Sequence, residues 1–319
     1  MAGELFTILT DVLLPILLMM GAGATLRRIF ALDLSTLVKV SLYVLTPAFV
    51  FRNVATANLD GEAMAGIVGT STLLAVALGV VGYVGGKSAG ASWPTTSAVM
   101  NGTMIYNSGN YGVPLAVLAF GDFGKGVQAF VLSTQSVFTF TVGLALAGSA
   151  AGGGFGRITR KLLLMPIPYA LTGSLVWRWV DGGTVAMPTW LDRTTEYLAN
   201  GLVPVALVTL GAQLANAPRW PRWRPVSFVT VVRLLGGPLA MTGGLVAAHH
   251  LAPGSILDVG PAVAAVLIVT SGTPTAVNTL LLTHEMDGDT RLMGDIVFWT
   301  TVVSPITLLA TLAIVRATL

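Results

Sequence analysis

Polar residues interrupt two long apolar stretches of the sequence, and their side chains are of the kinds that bind ligands. The first stretch, MIYNSGNYGVPLAV, places amides, hydroxyls, glycines and a proline within eight residues: Asn107, Ser108, Asn110, Tyr111, Gly112 and Pro114. The second, LIVTSGTPTAVNTLL, carries a similar set: Thr270, Ser271, Thr273, Pro274 and Asn278. Because proline removes a backbone donor and glycine tolerates non-helical geometry, we expect a helix to unwind just before each proline.

Inside a membrane, each unwound stretch must line a polar cavity, because unpaired backbone groups are costly in hydrocarbon. The prolines suit the first position of the half-helices that follow them, so two partially positive helix N-termini are expected to meet near the bilayer midplane. These termini can bind a carboxylate, with eight candidate residues: Asn107, Asn110, Tyr111, Gly112, Pro114, Thr273, Pro274 and Asn278. The carbonyl ends and asparagine oxygens can instead hold a coupling ion, for which the candidates are Asn107, Ser108, Gln135, Thr270, Ser271 and Asp295. The simpler interpretation of each interruption is a proline kink repaired by neighbouring hydroxyls.

Ten apolar segments, each long enough to span a bilayer, position these residues. A spanning helix needs about 20 residues. Of the 319 residues, 54% are hydrophobic and only 10% are charged, and the mean hydropathy is +0.80. This composition predicts an all-α integral membrane protein, with spans at about Leu5 to Leu26, Leu34 to Val54, Met64 to Gly85, Ser92 to Phe120, Val127 to Ser149, Leu162 to Val180, Tyr197 to Ala217, Val226 to His249, Leu257 to Leu282 and Leu292 to Val315. The two interruptions fall in spans four and nine.

The basic residues orient these spans. Ten arginines and lysines fall in loops on one side and five on the other, which predicts that the first side is cytoplasmic and that both termini lie outside. Arg52, at the end of span two, is interpreted as an interfacial anchor. Lys39 and Arg233 lie inside spans and are interpreted as snorkelling side chains.

An internal repeat relates the two halves of the sequence. LSTLVKVSLYVLTP, ending at Pro47, superposes without gaps on LDRTTEYLANGLVP, ending at Pro204, and Pro114 and Pro274 are a second pair of landmarks at a similar separation. Each half contains an odd number of spans, so the second half enters the bilayer inverted, as in many secondary transporters. We therefore predict a first five-helix repeat at residues 1–150, a cytoplasmic linker at 151–160 and an inverted repeat at 161–319.

Several of these motifs resemble the auxin efflux carrier family of bacterial permeases and plant auxin exporters, within the wider group that includes the bile-acid sodium symporters. The similar stretches are NSGNYGVPLAVLAFG, GTPTAVNTLLLTHEMDGD, LPILLMMGAGATLRRI and LVPVALVTLGAQLA. The resemblance implies a homodimer in a prokaryotic inner membrane, with spans 1, 2, 6 and 7 as scaffold and spans 3–5 and 8–10 as a mobile transport unit. It also implies elevator-type alternating access for monocarboxylates, dicarboxylates or auxin-like anions. Asn107, Asn110, Pro114, Pro274 and Asn278 would then be the site residues.

Three other functional classes compete with a carrier of small anions. One is a sodium-coupled symporter of larger amphipathic anions, similar to the bile-acid symporters, and another is an anion channel. An intramembrane enzyme is disfavoured, because the sequence has no Gly-x-Ser-x-Gly or His-Glu-x-x-His motif. With no cysteine, thiolate metal sites are excluded, and the dispersed basic residues do not indicate nucleic-acid binding. We expect no cofactor other than sodium or a proton as coupling ion, with the lipid bilayer and a small organic anion as partners.

Overall fold

The computed structural model describes residues 2–149, 163–181, 187–215, 220–285 and 288–318. Within these ranges the chain is helical and forms no strand; an isolated antiparallel bridge joins Tyr106 to Thr275. The linker predicted at 151–160 lies outside the described residues.

We number eleven helices in chain order. They are α1 (Ile8–Ile29), α2 (Leu34–Ala55), α3 (Gly61–Ser88), α4 (Trp93–Met104), α5 (Ser108–Ser149), α6 (Pro166–Asp181), α7 (Thr189–Leu214), α8 (Trp223–Leu251), α9 (Pro261–Ser271), α10 (Val277–Glu285) and α11 (Thr290–Thr318). A short helix, Ala2–Thr7, leads into α1. Over the described ranges, seven of the eleven are long and apolar enough to cross a membrane: α1, α2, α3, α5, α7, α8 and α11. The fold therefore fits an integral membrane protein.

The helix starts follow from local sequence. Asp33 precedes α2, and its carboxylate accepts a hydrogen bond from the Ser35 amide at 3.0 Å. Asp60 precedes α3 and accepts from the Ala63 amide at 2.7 Å. Side-chain caps of this kind satisfy amides that have no partner within the helix, so each aspartate fixes where its helix begins.

Helix α5 is bent at Gly121, which separates the predicted spans four and five. Gly121 has φ 60° and ψ −143°, a conformation open to glycine and strained for other residues. The chain folds back after this residue, so that Nε2 of the Gln128 side chain donates to the Ser108 carbonyl at 2.7 Å. The bend thereby packs the second part of α5 against the first.

Helices α1 and α7 pack at backbone distance. A Cβ atom on Gly211 of α7 would lie 1.8 Å from the Met20 carbonyl oxygen of α1, and one on Gly23 would lie 2.0 Å from the Val208 carbonyl oxygen. Glycine pairs of this kind let membrane helices approach closely where hydrophobic burial supplies no driving force between them. The two glycines therefore fix the spacing of α1 and α7.

Arg52 forms ion pairs with two acidic residues of α7. Its guanidinium contacts the Asp192 carboxylate, donates to the Asp192 carbonyl at 2.6 Å and lies 3.7 Å from the Glu196 carboxylate. The sequence did not indicate these partners, because they come from α7, 140 residues further along the chain, and the interfacial position of Arg52 stays a prediction.

Candidate functional site

Two non-helical breaks face each other inside the protein. The first separates α4, which ends at Met104, from α5, which begins at Ser108; the second separates α9 from α10. The Asn107 amide donates to the Pro274 carbonyl at 2.7 Å, and the Ala276 amide donates to the Ile105 carbonyl at 3.0 Å. Each break therefore satisfies backbone groups of the other, which is how a buried unwound segment avoids the cost of unpaired amides and carbonyls.

The two prolines lie differently relative to the breaks. The first break starts at Ile105, well before Pro114, and Pro114 follows a π-helical turn at Ser108–Gly112. This wider turn accommodates the proline ring without ending the helix. Pro274 lies within the second break, ahead of the first helical residue, Val277. Pro114 thus lies in the first turn of the α-helical segment after the π-helical turn, as expected, whereas the expectation that Pro274 begins its half-helix was wrong.

A small polar cavity of about 50 Å³ opens beside the two breaks. Its walls contain three asparagines and several hydroxyls, and no acidic or basic side chain is among its lining residues in the described chain. The polar lining residues are Ser41, Thr46, Tyr106, Asn107, Ser108, Asn110, Ser136, Thr139, Thr209 and Asn278. Such a lining has many hydrogen-bonding groups and no fixed charge.

Asn107, which lines this cavity, has an unpaired side-chain hydrogen-bond donor. Its side-chain oxygen caps the half-helix that follows, accepting from the Asn110 amide at 3.1 Å. Its Nδ2 is buried and has no hydrogen-bond partner among the described residues. Since the oxygen is already engaged, the free end of this side chain favours a ligand that accepts hydrogen bonds.

The amino-terminal ends of two half-helices reach the same cavity. Ser108, Gly109 and Asn110 begin α5, Asn278 is the second residue of α10, and all four line the cavity. Unpaired amides and the helix dipole make such ends favourable for anions. The electrostatics of the cavity thus agree with the donor presented by Asn107.

The other residues singled out from the sequence do not line this cavity. Of the substrate candidates, Tyr111, Gly112, Pro114 and Thr273 are buried within the packing, and Pro274 contributes its carbonyl to the pairing of the breaks. Of the ion candidates, four lie apart from it: Gln135, Thr270, Ser271 and Asp295. Asp295 is 3% exposed and lines a separate cavity of about 430 Å³ that also contains Arg291 and Gln213.

Six polar lining residues were missed from the sequence. Ser41, Thr46 and Thr209 come from α2 and α7, Ser136 and Thr139 come from the later part of α5, and Tyr106 comes from the first break. Isolated hydroxyl residues within apolar spans were the available signal. That signal was weak because serine and threonine in membrane helices also bond to carbonyls of their own helix, as Thr139 does with Gln135 at 2.7 Å.

Arg233 of α8 is completely buried and lies against both broken helices. Its guanidinium donates to the Thr103 carbonyl at 2.7 Å and to the Ser271 carbonyl, near the last residues of α4 and α9. It also lies over the Tyr106 ring, 4.9 Å from the ring centroid. The interpretation of Arg233 as a snorkelling side chain was therefore wrong, because carbonyls freed by the breaks offer this charge partners inside the protein.

Larger cavities lie on either side of the polar cavity. One of about 550 Å³ includes Lys39 near the start of α2 and shares Val38, Leu42, Phe140 and Asn278 with it. Another, of about 700 Å³, includes Arg52 and lies towards the opposite ends of α2 and α7; it shares no lining residue with the polar cavity. Among the described residues, the polar cavity therefore shares lining residues with the 550 Å³ cavity and none with the 700 Å³ cavity.

Comparison with known proteins gives two concordant matches. Residues 156–312 match the family model described as membrane transport protein. The chain is also 25% identical, over 305 residues, to an "Uncharacterized transporter" of Methanothermobacter thermautotrophicus, and the match covers 94% of this chain and 96% of that protein. Together these matches confirm the resemblance to auxin efflux carriers drawn from the sequence, and they indicate a membrane transporter.

Proposed function

We propose that the protein is a secondary carrier of small organic anions, with mono- or dicarboxylates as the substrate class, and that the carboxylate binds in the polar cavity between the breaks. The observation that carries this proposal is the state of Asn107: its oxygen is engaged by the Asn110 amide, and its buried Nδ2 has no acceptor among the described residues. A carboxylate oxygen is a strong acceptor for such a donor.

The cavity favours an anion over a metal cation. Sodium would need several oxygen ligands, and two of the candidates already accept a hydrogen bond: the Asn107 side-chain oxygen from the Asn110 amide at 3.1 Å, and the Ser108 carbonyl from the Gln128 side chain at 2.7 Å. The two adjacent half-helix N-termini add partial positive charge. The proposal therefore assigns the site to the substrate anion and not to a coupling metal ion.

The position of the cavity supports an elevator mechanism. Ser41, Thr46, Ile167 and Thr209 come from helices of the predicted scaffold, whereas the three asparagines, Ser136 and Thr139 come from the predicted transport unit. A substrate bound at such a boundary is carried when one unit moves against the other. The lining residues shared with the 550 Å³ cavity, on the side assigned to the cytoplasm, support an inward-facing state.

The wider architecture belongs to the same proposal. Ten spans in two inverted repeats, at 1–150 and 161–319, would bring the two breaks together from opposite directions. We further propose a homodimer through the scaffold helices in a prokaryotic inner membrane, with both termini outside, supported by the family resemblance and by the distribution of basic residues.

Uptake into proteoliposomes tests this function. A panel of radiolabelled mono- and dicarboxylates is offered with sodium and pH gradients imposed separately, and a larger bile-acid-like anion is included. We expect saturable uptake and counterflow of at least one small carboxylate. Asn110→Ala and Asn278→Ala should each abolish it, because both residues line the cavity.

A matched control is Asn53→Ala. Asn53 lines the separate 700 Å³ cavity, and Nδ2 of its side chain already donates to the Phe49 carbonyl at 2.8 Å. This variant should transport like the native protein. Normal uptake by both site variants would refute the site, and non-saturable flux without counterflow would indicate a channel instead.

A further inference from the structure

The two broken helices present their carboxyl ends to a single buried cation. Arg233 donates to the carbonyls of Thr103 and Ser271, which lie in the last turns of α4 and α9. Its side chain is 0% exposed, and among the described residues no carboxylate lies within ion-pair distance of it. The partners of this charge are therefore backbone dipoles and an aromatic ring.

Carbonyl ends of two helices attract a cation. Each helix carries roughly half a negative charge at its carboxyl end, concentrated in the carbonyls that lack an intrahelical donor. Where two such ends meet away from water, a compensating positive charge is needed, and a hard metal ion coordinated by carbonyl oxygens is one way to supply it. Here a guanidinium is bound to those oxygens instead.

The packing around Arg233 is specific for a guanidinium. The Tyr106 ring lies under the charged group, with the centroid 4.9 Å away. One turn further along α8, Gly237 leaves the space that the group occupies, since a Cβ there would lie 2.3 Å from Nη2 of Arg233 and 2.6 Å from the Ser271 carbonyl oxygen. A larger residue at 237 would displace the arginine.

We propose that Arg233 is a built-in counter-ion that occupies the position a coupling sodium ion would take between the two breaks, so that the protein binds no sodium there and transports its substrate without it. This inference deepens the proposed function and rests on it, because it takes the protein to be a carrier. Because Tyr106 both stacks on Arg233 and lines the polar cavity, the positive charge lies one aromatic ring from the bound anion. The same residue therefore also favours anionic substrates.

Thermal unfolding of the purified full-length protein tests the inference without any substrate. Melting is compared in sodium, potassium and choline chloride at equal ionic strength, for the native protein, Arg233→Ala and Arg233→Lys. The native protein and Arg233→Lys should melt within about 1 °C in all three salts, because the site already holds a cation. Arg233→Ala should melt several degrees lower in potassium and rise by about 2 °C or more in sodium, since a ligand that binds only the folded state raises its stability.

Arg178→Ala is the matched control. Arg178 also donates to carbonyls at the end of a helix and the loop beyond it, those of Val54, Ala57 and Leu59, but it lies away from the breaks. This variant should lose stability and gain no response to sodium.

Three results would overturn the inference. They are a sodium-dependent rise in melting temperature or saturable binding of radioactive sodium by the native protein, an Arg233→Ala variant that does not respond to sodium, and an equal response in Arg178→Ala. If Arg233→Ala does not fold, sodium binding by the native protein still decides the question. Since none of these measurements uses uptake, failure here is distinguishable from failure of the carrier proposal.

Discussion

Replacing Asn107 by aspartate isolates the end of the side chain that we assign to the substrate. Asparagine and aspartate have nearly the same volume, and both are good N-caps, so Oδ1 of the new residue can still accept from the Asn110 amide. The free Nδ2 donor, in contrast, becomes a carboxylate oxygen. The substitution therefore retains the local fold and changes the group offered to the ligand.

The expected loss of affinity follows from two contributions. A hydrogen bond to a charged group contributes about 1.5–3 kcal/mol, so losing the donor weakens carboxylate binding about 10- to 150-fold. Two carboxylates about 4 Å apart repel by about 4 kcal/mol at an effective dielectric constant of about 20, which adds a factor on the order of 1,000. Asn107→Leu loses the donor without adding charge, so it should bind the carboxylate more tightly than Asn107→Asp does. Because it also loses the cap, it should be less stable than Asn107→Asp.

The assay measures the concentration dependence of carboxylate-induced currents or uptake in proteoliposomes, together with the melting temperature of each variant. Asn53→Asp, at the separate 700 Å³ cavity, serves as the charge-matched control and should retain the native KM. If Asn107→Asp transports carboxylates with a KM within about twofold of the native value, the free amide does not contact the substrate and the reasoning fails.

Two further predictions concern stability. Gly211→Ala should destabilise the protein by about 1–3 kcal/mol or prevent its accumulation, because the new Cβ would lie 1.8 Å from the Met20 carbonyl oxygen. Gly243→Ala is the control: no atom lies within 4 Å of its new Cβ, so thermal unfolding should show a neutral or slightly stabilising effect. In the loop after α8, the Gly254 amide donates to the Asp258 carboxylate at 2.9 Å, and this hydrogen bond lowers the pKa of that carboxyl from its ordinary value. The contact therefore stabilises the loop above the pKa of the unfolded chain, and it is lost as the pH falls through the lower pKa of the folded protein. The hydrogen-exchange protection factor of the Gly254 amide, which corrects for the pH dependence of the intrinsic rate, should therefore fall below about pH 4 in the native protein, and Asp258→Asn should remove that dependence; an unchanged pH profile in the variant would contradict the assignment.

The breaks could be anticipated from sequence, although their boundaries could not. Asparagine, glycine and proline within an apolar stretch indicate that a helix is interrupted, since each raises the cost of continuing it or lowers the cost of leaving it. The position of the break depended on what the freed backbone could bond to. Ile105 and Asn107 are unwound because Ala276 and Pro274 supply their partners, so the break lies before the residues that the local pattern emphasised.

The amino-acid sequence by itself determined that the chain is a helical membrane protein and that two of its apolar stretches are polar at their centres, because hydropathy and residue type are local properties. Only the tertiary structure decided which end of Asn107 is free, that Thr46 and Thr209 join the cavity, and that Arg233 bonds to both broken helices. Each of these depends on contacts between segments far apart in the chain. Hydrogen bonding and charge compensation in a low-dielectric interior are set by those contacts and not by neighbours in sequence.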